Sequence, residues 1–390
     1  MFKSKRLVIW TLVLGVLLAV PGMSLAAGPP IKIGLSTYLT GPFALIGKWI
    51  TDNTKMAVDE INAAGGILGR QLVLIPGDDM GETTTGYTLV RRFIDRDKID
   101  FLIGPDASAI TLSVYPLTQK AGIVQLTTSV NPQITRKGNP WIFRLRPHQE
   151  ASWAILIKYV VENMKVKDIG IIHVDTDYGI GAGDAGEKAL AAYGIKPLIR
   201  LRSTAQDVDF SSQILRMKKA GVKVILMTSV GRGLEAIATF VQQRNQQGLN
   251  AVIVEDMTAN IEKTLEILGN DRKLRDGDLT GLIYTPLDKT PAVYAKTEKF
   301  RKLYGYDPDD HGMACYDAVY LIKAAAERAG TIDDKAKVRD ALRGIKYSGV
   351  CGLFDFDQNG DGIWEGWLMD VKDGKMRIIS DKKIVYQPKK

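Results

Sequence analysis

The chain has 390 residues, with 52 Lys and Arg against 44 Asp and Glu, a formal charge of +8. Its 45% hydrophobic and 25% charged residues are an ordinary globular profile, which excludes a disordered, collagen-like or coiled-coil chain. Two cysteines exclude a disulfide scaffold, and His148, His173 and His311 lie too far apart to suggest a metal site built from histidines.

Met1–Arg6 is basic, and Lys3, Lys5 and Arg6 carry part of the positive excess. An almost unbroken apolar run follows from Leu7 to Val20, then Pro21-Gly22 and the small-residue triplet Ser24-Leu25-Ala26. This is the three-part pattern of a secretory signal peptide cleaved after Ala26. The apolar run is shorter than the roughly 20 residues a membrane span needs. The mature protein is therefore expected in a bacterial periplasm. In that oxidising compartment Cys315 and Cys351 are either one disulfide or two buried thiols, and sequence leaves both open. The remaining charge is dispersed, with no basic run interleaved with aromatics, so no nucleic-acid partner is expected.

From Ile31 the chain alternates short apolar runs with helical patterns. Strands are predicted at Ile31–Leu35, Leu72–Ile75, Phe101–Ile103 and Ile123–Leu126. Helices fall between them, one placing Ile46, Ile50, Ala57 and Ile61 on a face, then Thr83–Ile94 and Ser108–Lys120, closed by Gly122. The pattern restarts with helices at Ser152–Asn163, Ala185–Tyr193, Ser211–Ala220 and Leu234–Gln246. Its strands are Ile169–Val174, Lys196–Leu201, Val224–Met227 and Ala251–Val254. A strand at Leu282–Thr285, helices at Ala292–Tyr304 and Met313–Ala329, and a hairpin of Leu353–Phe356 with Ile363–Met369 read as additions, not a third domain. Two α/β lobes with parallel sheets follow. Ligands of such sheets sit beyond the strands' carboxyl ends, so the expected site is a cleft between the lobes.

Gly181–Gly186 matches G-x-G-x-x-G, but it begins seven residues after the strand ending at Val174, so a flexible helix entry is expected rather than a dinucleotide site. Asp355–Gly360 resembles half a calcium loop, but Gly366 stands where the closing Glu belongs, so a tight polar turn is expected. No cofactor, metal site or catalytic set is expected. Two strand-end loops stand out. Ser108 in Gly104–Ser108 is placed to cap the next helix, and either caps it only or also meets a ligand carboxylate. Thr127–Pro132 follows the next strand and is either a simple loop or a second contact.

These loops come in a known order. Gly41-Pro42, Asp59–Asn62 with Gly65–Ile67, Asp78-Asp79, Ile103–Pro105, Asn131-Pro132, Phe143-Arg144, Asp177–Gly179, the turn Phe356–Gly362 and the helix Cys315–Gly330 together resemble the Leu/Ile/Val-binding proteins of branched-chain amino-acid ABC transporters. The resemblance covers nearly the whole mature chain and implies the type I periplasmic binding protein fold, two Rossmann-like lobes joined by three crossovers. Those crossovers are expected near Phe143–Arg146, Ile283–Pro286 and Gly349–Leu353. Lobe I would comprise 28–144 and 284–349, and lobe II 145–283 and 350–390, after a leader of 1–26.

The resemblance also implies a site. Ser108 matches the carboxylate-binding Ser, Thr128 and Ser129 the backbone contacts, and Tyr178 the Tyr that closes over the ligand. Elsewhere the chain departs from the pattern. Val130 stands where a Thr is usual, Ile46 at an aromatic wall, Arg232 at a second-lobe Tyr, and His311 near a third aromatic. The acid that pairs the ligand amine falls near Met257, just after Glu255 and Asp256. Arg232 would either pair a second ligand anion or lie solvated at the surface. These departures weaken the case for an aliphatic side chain. The implied function is a monomeric, non-enzymatic solute receptor that takes an amino acid or related small carboxylate and docks on the membrane permease of an ABC importer. An exported sensory module that signals through a membrane receptor is the alternative, and gene neighbourhood separates the two.

Overall fold

The computed structural model describes residues 28–257 and 260–386. The expected signal peptide and its cleavage after Ala26 lie outside the described residues. No described helix is long and apolar enough to cross a membrane.

The apolar runs become strands because they are covered on both faces. The first series is β1 (Ile31–Thr37), α1 (Ala44–Ala63), β2 (Leu72–Asp78), α2 (Thr83–Arg92), β3 (Phe101–Ile103), α3 (Ser108–Ala121), β4 (Val124–Thr127), α4 (Gln133–Arg136) and β5 (Ile142–Arg144). Its strands form a wholly parallel sheet in the order β2-β1-β3-β4-β5. The second series is α5 (Gln149–Glu162), β6 (Ile169–Val174), α6 (Asp177–Ala191), β7 (Ile199–Ser203), α7 (Ser211–Lys219), β8 (Val224–Thr228), α8 (Leu234–Gln246), β9 (Val252–Glu255), α9 (Ile261–Leu268) and β10 (Leu279–Leu282). Every residue of β6 and β8 is buried, as central strands of a two-sided parallel sheet must be.

The last third supplies α10 (Pro291–Tyr304), α11 (Asp310–Ala329), α12 (Lys335–Arg343), β11 (Lys346–Gly349), β12 (Gly352–Asp355), β13 (Trp364–Lys372), β14 (Lys375–Ile378) and β15 (Ile384–Tyr386). α11 lies along α1, where the Tyr316 and Tyr320 hydroxyls both donate to Glu60 Oε2 at 2.6 Å. α12 reaches the first sheet through Lys335 and Asp100, 2.7 Å apart. β13 instead joins the second sheet, antiparallel to β10, β14 and β15, in the order β14-β13-β10-β9-β8-β6-β7. The chain thus passes between the sheets after β5, after β10 and after β12.

Several expectations need correcting. α6 starts at Asp177, eight residues before the predicted Ala185, and runs straight through the glycine motif. Glycine is poor in helices by about 1 kcal/mol, but here it permits close approach. A Cβ on Gly181 would lie 2.7 Å from Asn131 Nδ2, and one on Gly183 2.5 Å from Arg200 Nη2. The predicted hairpin does not form. Gly352–Asp355 pairs with Lys346–Gly349, Trp364–Lys372 pairs with the second sheet, and only the isolated bridge Phe356–Gly362 links the two segments. The strand predicted at Leu282–Thr285 lies at Leu279–Leu282, held between β13 and Val254. Helices α9 and α12 were not predicted. Cys315 and Cys351 are both free and buried in the core, so they form no bridge. Burial pushes both thiols up, which keeps them protonated.

The calcium-like segment is a tight polar turn. Asp357 Oδ1 accepts the Asn359 and Asp361 amides at 2.7 and 3.0 Å. Asp361 then turns inward to the buried Arg144, whose Nε donates to Oδ1 at 2.6 Å.

Candidate functional site

Loops at the carboxyl ends of the parallel strands of both sheets enclose a cavity of about 440 Å³. β3 and β4 contribute Asp106–Ala109, Thr128 and Val130. β6, β8 and β9 contribute Thr176, Tyr178, Ser229, Gly231–Leu234, Glu255 and Asp256. The volume falls within the usual range for small-molecule sites.

The loop after β3 turns sharply. Gly104 has φ +89°, and a Cβ there would meet Ser36 O at 2.3 Å, so only glycine fits. Ser108 is then the first residue of α3, with Ala107 at the N-cap. The predicted N-cap role of Ser108 is therefore wrong. Its hydroxyl makes no cap bond and instead accepts the Asn131 amide at 3.3 Å. Ala107, Ser108 and Ala109 line the cavity, which places the positive end of α3 beside it.

The loop after β4 is held from behind. Arg144 Nη1 and Nη2 donate to the carbonyls of Ser129 and Asn131 at 2.7 and 3.0 Å. Thr128 and Val130 line the cavity, but Ser129 does not. Its hydroxyl points into the fold, donating to Pro105 O and Asp106 O at 3.0 and 2.7 Å. Its amide donates to Thr127 Oγ1 at 3.1 Å. The expected Ser129 backbone contact is already engaged inside the protein.

On the opposite wall Thr176 caps α6 by accepting the Gly179 amide, and Tyr178 follows in the first turn. Gln149 Nε2 donates to Tyr178 O at 2.7 Å and fixes the turn. The Tyr178 hydroxyl lies 3.4 Å from both carboxylate oxygens of Asp256. Glu255 is committed elsewhere, paired with the buried Arg275. Arg232 lines the cavity, remains partly solvated and has a counterion from the protein itself. Its Nη2 lies 2.7 Å from Glu82 Oε1, so the pair spans the cleft from one sheet's loops to the other's.

Ile46 and His311 complete the predicted set, so eight of its nine residues, all but Ser129, line one cavity. Sequence reasoning missed Asp106 and Arg146, which line the cavity as well. Asp106 stood inside a quoted loop, but nothing in the sequence aimed it. Its carboxylate accepts the Tyr38 hydroxyl at 3.0 Å and the Thr128 hydroxyl at 2.5 Å. Arg146 is buried, with Nη2 donating to Asp310 Oδ2 at 2.7 Å and Met257 O at 3.0 Å. His311 Nδ1 lies 3.0 Å from Asp309 and 3.2 Å from Asp310. Asp309, Asp310 and His311 have a metal-like spacing, but the set does not fit a cation. Asp310 already carries the Arg146 guanidinium, and Asp309 Oδ1 accepts the Gly312 amide to cap α11.

A sequence profile of the family described as periplasmic binding protein matches residues 30–375. Leu/Ile/Val-binding protein homolog 3 of Brucella melitensis is 29% identical over 346 residues, 87% of this chain and 90% of that protein. The solved structure of a leucine-binding protein, LivK of Thermotoga maritima, has a TM-score of 0.81 at 24% identity, covering 92% of this chain and 99% of the other. An ABC transporter substrate-binding protein of Desulfitobacterium hafniense in complex with Leu has a TM-score of 0.75 at 26% identity, covering 90% of this chain and all of the other.

Proposed function

The chain belongs to the periplasmic binding protein family, and we propose that it is the solute receptor of an ABC importer, binding an amino acid or related small carboxylate between two closing lobes. Lobe I is 28–144 with 284–355, past the boundary expected near Gly349–Leu353 because β12 pairs with β11 and not with the second sheet, and lobe II is 145–283 with the chain from β13 onward. The leader 1–26 is removed after Ala26 on export to the periplasm. The observation that carries the reading is the pairing across one cavity of the α3 N-terminus with Tyr178 and Asp256. The ligand carboxylate takes the first-turn amides of α3 and the Ser108 hydroxyl, with the backbone around Thr128 and Val130 beside it. Asp256 faces the ammonium, Tyr178 covers the ligand, and Ile46 and Val130 supply apolar wall. The Leu complex of the Desulfitobacterium hafniense protein and the name of the Brucella melitensis relative support an amino acid.

Closure shifts a two-state equilibrium toward the form the permease recognises. The receptor acts as a monomer and releases its ligand unchanged. A thermal-shift panel of amino acids and small carboxylates tests the reading. At 100 times its dissociation constant the true ligand adds about 2.7 kcal/mol of stability. A panel with no stabilising member, or chemical conversion of the bound compound, overturns it.

A further inference from the structure

The floor of the cavity is charged where its walls are mixed. Asp106, Arg146 and His311 meet there from three separate segments of the chain. Arg146 is 1% exposed, both of its hydrogen bonds leave from Nη2, and its Nε has no hydrogen-bond partner. His311 engages Asp309 and Asp310 through Nδ1, which leaves Nε2 as the ring atom able to serve the cavity. Asp106 accepts one hydroxyl on each oxygen, and a carboxylate has lone pairs to spare after that.

The floor therefore offers two buried donors, Arg146 and His311, and a half-buried acceptor, Asp106. A ligand carboxylate placed there meets Asp106, and an ammonium meets Arg146 and His311. An aliphatic end leaves all three polar groups desolvated without new partners, which is the costliest arrangement. One chemical group satisfies every side without adding charge. We infer that the ligand carries a carboxamide, whose carbonyl oxygen accepts from Arg146 and His311 and whose NH2 donates to Asp106. Burial and Arg146 act to depress His311, but Asp106, Asp310 and Asp309 outweigh them and push it up to about 10. The ring is then an imidazolium, a donor at both nitrogens at neutral pH.

The inference rests on the receptor reading, and calorimetry separates the two. The exported, processed protein, stripped of bound solute, is titrated with L-glutamine, L-asparagine, L-leucine, L-glutamate and L-lysine. One of the two amides should bind at least about tenfold more tightly than any of the other three. Asp106→Leu should weaken that amide about ten- to a hundredfold, and by at least about tenfold more than it weakens leucine. If that variant does not fold, Asp106→Asn, which keeps the shape and an acceptor for one of the Tyr38 and Thr128 hydroxyls, should still cost the amide about tenfold. Leucine, glutamate or lysine binding as tightly as the amides, or a foldable Asp106 variant with unchanged amide affinity, overturns the carboxamide but leaves the receptor. If none of the five binds, 4-carbamoylbutyrate decides. Its binding keeps the floor assignment and removes the amino acid, and its failure removes both.

Discussion

Asp361→Asn is the substitution whose effect the structure bounds best. Asp361 is 7% exposed and Arg144 0% by side chain, and they meet at 2.6 Å. The change keeps the shape and deletes one charge, leaving a buried guanidinium without its counterion. Breaking such a pair costs about 3–5 kcal/mol. For lobes of this size, about 2–4 °C of melting temperature accompanies each kcal/mol, so the midpoint should fall by roughly 6–20 °C. The sign with pH is fixed as well. Burial alone would push the Asp361 carboxyl up, but Arg144, His148 and Thr135 hold it below the ordinary range. A depressed carboxyl stabilises the fold above its unfolded value, about 4, and loses that contribution as pH falls through the lower folded value. Urea unfolding should therefore show a large gap between the proteins at pH 7 that narrows below about pH 4. Arg144 also holds the carbonyls of Ser129 and Asn131, so ligand affinity should drop although Asp361 does not line the cavity. A loss below about 1 kcal/mol at pH 7, or a gap indifferent to pH, refutes the reasoning.

Ser108→Ala should cost the fold at most about 1 kcal/mol, since the hydroxyl caps nothing and accepts one long bond, yet weaken carboxylate binding about ten- to a hundredfold. Calorimetry with the tightest member of the amino-acid panel checks this, and unchanged affinity removes Ser108 from the site. Arg232→Gln cuts the exposed ion pair that spans the cleft, worth about 0.2–1 kcal/mol. The ligand-free protein should become more open by small-angle scattering at low salt, and high salt should erase the difference; equal scattering at low salt counts against a tie between lobes. Asp79 is pushed up to about 6 by burial, with Asp106 and Asp78 adding to the effect. A raised carboxyl costs stability where it is ionised, so Asp79→Asn should stabilise by up to about 3 kcal/mol at pH 8 and by little at pH 4. Melting curves that show the reverse order would contradict that assignment.

The strands and most helices were legible because burial on both faces leaves a mark in sequence. Val224–Met227 is wholly apolar in the middle of a covered parallel sheet, and Ile169–Val174 is apolar but for His173, whose ring nitrogens are hydrogen-bonded to Val174 O and Arg200. Where that mark was missing, the reading failed for identifiable reasons. The glycines of α6 lower helix propensity, and the close neighbours that call for them lie far off in sequence: Asn131 is 50 residues before Gly181 and Arg200 is 17 residues after Gly183. Trp364–Lys372 pairs with β10, β14 and β15 rather than with its sequence neighbour, because the turn before it carries the chain from one sheet to the other. No local pattern distinguishes a hairpin turn from such a crossover.

The site was legible as loops but not as chemistry, and the loop after β3 shows why. Ser108 and Asp106 are two residues apart, and both face the cavity. The family resemblance singled out Ser108, whose position follows from local backbone geometry: a strand end, a turn and a helix start. Asp106 owes its role to Tyr38, Thr128, Arg146 and His311, which come from four other segments and converge only when both sheets are assembled. Backbone-borne contacts therefore hold the constant end of a ligand, while side chains gathered from distant loops select the variable end. The first kind can be read in one sequence, and the second needs the fold. The carboxamide inference draws on the second kind alone, so the Asp106 variants test side-chain selection without disturbing the helix end that Ser108 begins.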